Sequence, residues 1–271
     1  MKEIDNEEEI MPILFIGHGS PMNVISDNEF TQSLNQLSKK LPIPKAILVI
    51  SAHWLTSGTE VLCVEKPRTI HDFYGFPDQL YSLHYPSLGS PELGREISQK
   101  LASYNVECNY EWGYDHASWA ILKHIYPKAN IPVIELSLDY GFNDWRVKPI
   151  EYHYQLAQKL AFLRRMGVLI IGSGNIVHNL GMMDYNINAP IMEWANELDT
   201  IVKEKIINKN HNDLIHLDKL GKTAILGIPT WDHYLPMIYI LALQEKDDFV
   251  DFFYEGFQHG SISMRCFLAG R

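Results

Sequence analysis

The chain has 271 residues, 46% of them hydrophobic and 21% charged, which excludes disordered and fibrous architectures. Lys and Arg total 23 against 33 Asp and Glu, a net charge of −10; nucleic-acid partners are not expected, because their phosphates call for cationic side chains. No apolar run approaches the roughly 18 residues of a membrane span, and the opening MKEIDNEEEI is acidic where a secretory signal would be basic and then apolar.

Residues 1–10 therefore read as a solvated acidic tail ahead of one domain over 11–271. Short apolar runs follow, at 13–18 (ILFIGH), 46–53 (AILVISAH), 106–108, 131–138 (IPVIELSL) and 168–174 (VLIIGSG). They are rich in Ile and Val with almost no polar alternation, the pattern of strands covered on both faces. Between them, 90–104, 117–126, 150–165 and 190–208 space apolar residues as helices do, and 90–104 opens with a Ser-Pro-Glu start signal. A helix over 234–243 and two strands at 249–255 and 261–268 close the chain. The alternation predicts one α/β domain with a mostly parallel central sheet flanked by helices. Cys63, Cys108 and Cys266 form no Cys-x-x-Cys pair, so no disulfide framework is expected and a reduced, cytoplasmic protein is the default.

Twelve histidines are the feature that points to chemistry. Ligands of open α/β sheets bind beyond the carboxyl ends of the strands, and three histidines fall there. His18 closes the first run ahead of Gly19-Ser20-Pro21, His53 closes the second ahead of Trp54, and His178 follows the last across Gly174-Asn175-Ile176-Val177. His233, in Pro229-Thr230-Trp231-Asp232-His233, enters the helix over 234–243, and His116 precedes another helix. One such histidine caps a neighbouring segment as readily as it binds anything. Several at strand ends, beside glycines that admit a ligand closely, favour a metal centre. Imidazole suits zinc, copper, iron and nickel alike. His71 and His84 stand in an aromatic-rich loop that they line or order. Surface positions account for His124, His153, His211 and His216, and His259 precedes a hairpin turn. The dinucleotide fingerprint, the P-loop, the Gly-x-Ser-x-Gly elbow and His-Glu-x-x-His are all missing.

A family likeness rests on ordered motifs: Gly17-His18-Gly19-Ser20-Pro21-Met22-Asn23, Ser51-Ala52-His53-Trp54, Thr69-Ile70-His71-Asp72-Phe73, Gly75-Phe76-Pro77, Tyr85-Pro86 with Gly89-Ser90-Pro91, Asp115-His116, Gly174-Asn175 with Val177-His178-Asn179-Leu180, and His233-Tyr234-Leu235-Pro236. In these the chain resembles the DODA-type extradiol dioxygenases of the LigB-like, class III ring-cleavage superfamily, from about residue 11 to the last strand. The resemblance implies that His18, His53 and His233 bind one divalent metal, with His178 either a fourth ligand or the acid/base of catalysis. It makes His116 a second catalytic histidine, contacting substrate or oxygen. Where the wider superfamily commonly uses two histidines and a carboxylate, the third position here reads as His233; Asp232 and Asp115 are then expected to orient histidines. The implied reaction is cleavage of a catechol such as DOPA, at the 4,5 bond, with O2 to a muconic-semialdehyde-type product. Fe(II) is expected for activity and Zn(II) is plausible as isolated. Tyr234, Trp54 and Phe76 are aromatic neighbours of the motifs, for which core packing is the ordinary role. A zinc metallohydrolase built on the same cluster, and a protein that only sequesters metal or catechol, are the alternatives.

Overall fold

A computed structural model describes residues 10–141 and 148–271; the acidic tail, apart from Ile10, lies outside them. The chain runs β1 (Ile13–Gly17), α1 (Glu29–Leu37), β2 (Ala46–Thr56), β3 (Glu60–Leu62), α2 (Asp78–Tyr81), α3 (Pro91–Lys100), β4 (Glu107–Asn109) and α4 (His116–Ile125). It continues through β5 (Val133–Asp139), α5 (Ile150–Gln158), α6 (Phe162–Arg165), β6 (Val168–Gly174), α7 (Glu193–Ile207), α8 (His211–Ile215) and α9 (Thr223–Gly227). The last elements are α10 (Leu235–Ala242), β7 (Phe249–Tyr254), β8 (Phe257–Gln258), β9 (Ile262–Ser263) and β10 (Cys266–Gly270).

Eight strands form one sheet in the order β4-β3-β5-β2-β6-β1-β10-β7. The central β5, β2, β6 and β1 run parallel, whereas β3 meets β5, and β10 meets β1 and β7, antiparallel. Side chains of a strand alternate between faces, and here both sets are buried. Ile13, Phe15, Leu48, Ile50 and Ile170 join one core with α5, α7 and α10. Leu14, Ile16, Ile47, Val49, Leu169 and Ile171 join a second core with α1 and α4. The result is a three-layer α/β domain whose middle strands lack polar alternation because neither face meets water. No helix among the described residues is long and apolar enough to cross a membrane.

The structure departs from the sequence reading in five places. The segment expected as one helix over 150–165 breaks after Gln158, where the amides of Lys159, Leu160 and Ala161 bond three residues back instead of four. Beyond the break Arg164 is fully buried and pairs with Asp248. The strand expected over 261–268 divides at Met264–Arg265, where Arg265 turns inward to bind Asp199. Ser90 stands before α3 without capping it through its side chain. His153, expected at the surface, is fully buried and hydrogen-bonded to the Tyr239 hydroxyl at 3.0 Å. Finally, Cys63 and Cys108 form a disulfide. Parallel pairing of the short β3 and β4, with Val61 opposite Cys108, juxtaposes cysteines that 45 residues separate, and no spacing pattern betrays it.

Candidate metal centre

The site lies at the carboxyl ends of β1, β2 and β6. Register places Ile16 beside Ser173, Gly17 beside Gly174 and Ser51 beside Ser173, and the His18 amide donates to the Gly174 carbonyl at 3.1 Å. His53 lies where the β2–β5 register shifts between Ile50 and Leu55, an irregularity of the kind that re-aims side chains. The turn before α10 reaches the sheet over Gly174: a Cβ there would stand 2.2 Å from the His233 carbonyl oxygen. In its absence, the Asn175 amide donates to that carbonyl at 2.9 Å. A bulkier residue at 174 would push His233 off the site.

Five histidines meet there. Ring centroids lie 5.2 Å apart for His18–His53, 5.4 Å for His18–His233, 5.1 Å for His53–His233 and 4.1 Å for His53–His116. His178 stacks on His233 at 3.5 Å and 7°. Ligand atoms of His18, His53 and His116 all fall within 4.8 Å of one another, as do those of His178, Asp232 and His233. His116 thus stands nearer to the ligand set than its expected role of substrate contact requires.

Four of the rings have one nitrogen spent outside the cluster. Ser173 Oγ lies 3.1 Å from His18 Nδ1 and donates its own hydrogen to the Ala117 carbonyl at 2.6 Å, so His18 Nδ1 must be the donor. Asp72 Oδ2 accepts from His53 Nδ1 at 3.0 Å and from His116 Nδ1 at 2.8 Å, while Oδ1 accepts the His116 amide at 2.8 Å. Asp232 Oδ2 accepts from His233 Nδ1 at 2.5 Å. Each arrangement leaves Nε2 as a bare lone pair. The Nε2 atoms of His18 and His53 stand 3.3 Å apart, and two lone pairs at that distance repel unless a cation lies between or beside them. The donor set therefore fits a metal ion, as ligand histidines with their far nitrogens tied to carboxylates and oxygens do.

Electrostatics agree with neutral ligands. Burial, then the neighbouring His53 and His233, holds His18 well below its ordinary pKa. Burial also lowers His233, outweighing Asp232. Burial and then His233 lower His178 strongly. Burial alone pushes the Asp72 carboxyl up, yet the hydrogen bonds from His116 and His53 outweigh it and keep Asp72 ionised. Asp232 is held down likewise by His233.

Of the two carboxylates expected to orient histidines, Asp232 does so. Asp115 instead caps α4 through the Ser118 amide; burial and then the Asp72 charge push its carboxyl up to about 6, while burial and then Asp115 raise the neighbouring Glu135. Asp72 holds the role the reading gave to Asp115. It sits in the Thr69–Phe73 motif but on a loop remote from any strand end, so its motif membership was the single available signal. His71 orders its loop: Nε2 donates to the Leu83 carbonyl at 3.0 Å and the ring packs on Phe73 and Trp119, while His84 is exposed. Trp54 and Tyr234 are core residues, stacked on Trp112 and bonded to the Leu214 carbonyl respectively. Phe76 packs on Phe73.

A three-layer α/β sheet carrying a cluster of imidazoles at its strand ends defines a metal-dependent enzyme. The chain belongs to the family of the catalytic LigB subunit of aromatic ring-opening dioxygenase, whose model matches residues 12–264, and it is an extradiol dioxygenase. It is similar to the 4,5-DOPA dioxygenase extradiol of Escherichia coli K12, 41% identical over 97% of this chain and 96% of the relative. The enzyme of that name from Beta vulgaris is 33% identical over 95% of this chain and 96% of its own. A crystal structure of an uncharacterized protein from Escherichia coli K12 superposes with a TM-score of 0.81 at 37% identity, covering 96% of this chain and all of that one. As a member of this dioxygenase family, the chain acts on a small molecule and O2.

Proposed function

We propose that the domain over 11–271 cleaves a catechol bearing an amino-acid or carboxylate arm, such as DOPA, at the 4,5 bond, using Fe(II) held by His18, His53 and His233. The observation that carries this reading is the convergence of bare Nε2 atoms, with His18 and His53 at 3.3 Å and their far nitrogens committed to Ser173 and Asp72. Bound iron supplies the redox chemistry toward O2 that zinc lacks.

The protein's own groups handle protons and position. His178 has no hydrogen bond to either ring nitrogen among the described residues, and burial keeps it neutral. A neutral imidazole stacked beside a ligand accepts the proton of a catechol hydroxyl and later returns one to the opening ring. His116, with Nδ1 fixed by Asp72, presents Nε2 to substrate or oxygen. Asp72 binds the ligand His53 and this second histidine through one oxygen, so it sets both rings in one geometry. The reading includes a cytoplasmic location, for which the Cys63–Cys108 disulfide removes the cysteine pattern as a ground.

Anaerobic loading with Fe(II), followed by DOPA and air, should give oxygen uptake and a yellow ring-opened product. Absence of uptake with every catechol would end the proposal, and ester or amide hydrolysis without O2 would put a zinc hydrolase in its place. His178→Ala should lower turnover about 10²- to 10⁴-fold, the usual span of general acid–base catalysis, with bound metal unchanged. His116→Phe should slow turnover and leave the metal, whereas His18→Ala should empty the site. Loss of metal from His178→Ala or His116→Phe would move that residue into the ligand set.

A further inference from the structure

Of the three expected ligands, His233 is the one that the sheet does not place directly. His18 follows β1 and His53 lies within β2, whereas His233 rides on the turn that leads into α10. Its ring is therefore placed only as firmly as that turn is held. The Asn175 amide holds the turn at one point by donating to the His233 carbonyl at 2.9 Å. The Trp231 carbonyl accepts the amides of Tyr234 and Leu235 at 3.0 and 2.8 Å and so joins the turn to α10. The Trp231 amide has a different partner: it donates to the Tyr140 hydroxyl at 3.0 Å.

Tyr140 directly follows β5. Its amide and that of Gly141 donate to the Thr56 carbonyl at 2.9 and 3.2 Å, which fastens the end of β5 to the end of β2, the strand that carries His53. The half-buried ring packs on the same core as α10. Because the Trp231 N–H takes a lone pair of the phenol oxygen, the hydroxyl hydrogen is directed elsewhere. Asp232 Oδ1 stands 3.5 Å away to accept it in a long hydrogen bond, while Asp232 Oδ2 takes the His233 Nδ1 hydrogen. The other two ligands are anchored in the same two-step way. Ser173 links His18 to the Ala117 carbonyl, and Asp72, which holds His53, has its second oxygen on the His116 amide. We propose that Tyr140 is a positioning residue of the metal centre: its hydroxyl ties the Trp231 amide and the Asp232 carboxylate to the end of β5, and so fixes the direction in which His233 presents Nε2. The inference rests on His233 being a ligand, as in the proposed function, and not on which reaction the metal serves.

Tyr140→Phe keeps the ring and its packing and removes only the oxygen. It should weaken Zn(II) binding about tenfold, the lower part of the span for outer partners of a ligand histidine, as read by competition with a chromophoric chelator. In an Asp232→Ala background the hydroxyl has no carboxylate to anchor, so the same change should leave Zn(II) affinity where Asp232→Ala alone puts it. A residue that merely stabilised the fold would lower the urea midpoint of the apo protein and act alike in both backgrounds. A tenfold loss in both, or no loss in either, therefore overturns the proposal. A raised catechol KM at parental Zn(II) affinity would make Tyr140 a substrate contact and overturn it equally. His233→Ala separates this from the reading beneath it: Zn(II) held there at parental affinity would remove His233 from the ligand set, whereas a site emptied by His233→Ala but untouched by Tyr140→Phe would sink the tether alone.

Discussion

At the scale of single residues, the site is organised by what lies outside it. A histidine presents Nε2 to a cation only if something takes its Nδ1 hydrogen, and three oxygen-bearing side chains do this for four rings. Asp72 serves two of them, so Asp72→Asn should cost more than Asp232→Asn. An amide has no negative charge, and it sets its NH2 group either against both Nδ1 donors or, in the other orientation, against the His116 backbone amide. The expected loss in metal affinity is about 10- to 100-fold, typical of removing an outer partner of a ligand histidine, measured by competition with a chromophoric chelator. Equal losses in the two variants would show that Asp72 does not hold both rings. The positions of His18, His53 and His178 were legible because strand ends are recognisable from apolar runs that stop at Gly, Ser or His. Asp72 and Ser173 were not, because their role depends on which loop returns to which strand, and no local pattern encodes a long-range contact.

At the scale of elements, the legible parts are those whose burial follows a period. β1, β2, β5 and β6 were read within a few residues since both faces are apolar, and α10 is apolar all round because it lies between α5 and the sheet. β3, three residues long, carries too little pattern to be seen, whereas the run at 106–108 marked β4 one residue early, and α5 hid a buried polar residue. His153 packs against α10 with its Nδ1 at the Tyr239 hydroxyl, and burial pushes its pKa down from 6.5 to about 3. A histidine that stays neutral in the folded state but charges when unfolded makes the unfolded chain bind the extra proton. Its contribution to stability is therefore complete above pH 6.5 and declines as pH falls from 6.5 toward 3, by about 1.4 kcal/mol per pH unit within that window. Urea midpoints followed across this range should decline less steeply in His153→Gln, which keeps a polar partner for Tyr239 without the titration. Parallel profiles for the two proteins would mean that His153 is protonated in the fold.

At the scale of the whole molecule, the site depends on a long excursion from the sheet. Between β3 and β4 the chain runs out through Asp72 and Phe73, over α2 and α3, and back, and the Cys63–Cys108 disulfide closes this loop across the pair. Three residues of parallel pairing are a weak clasp for so large a loop, whereas a cross-link over 45 residues restricts the unfolded chain by about 4 kcal/mol in the chain-entropy description. Cys63 is buried and Cys108 half-buried, so reduction is expected to need a strong reductant or partial opening of the sheet edge. Cys108→Ser should lower the unfolding free energy by a few kcal/mol, and since Asp72 rides on the same loop, metal affinity should fall as well. The two effects are separable: the apo protein reads stability by urea titration, and chelator competition reads affinity. A variant that loses stability yet binds metal as tightly as the parent would show that Asp72 is held by its contacts with His53 and His116 alone, independent of the loop's closure.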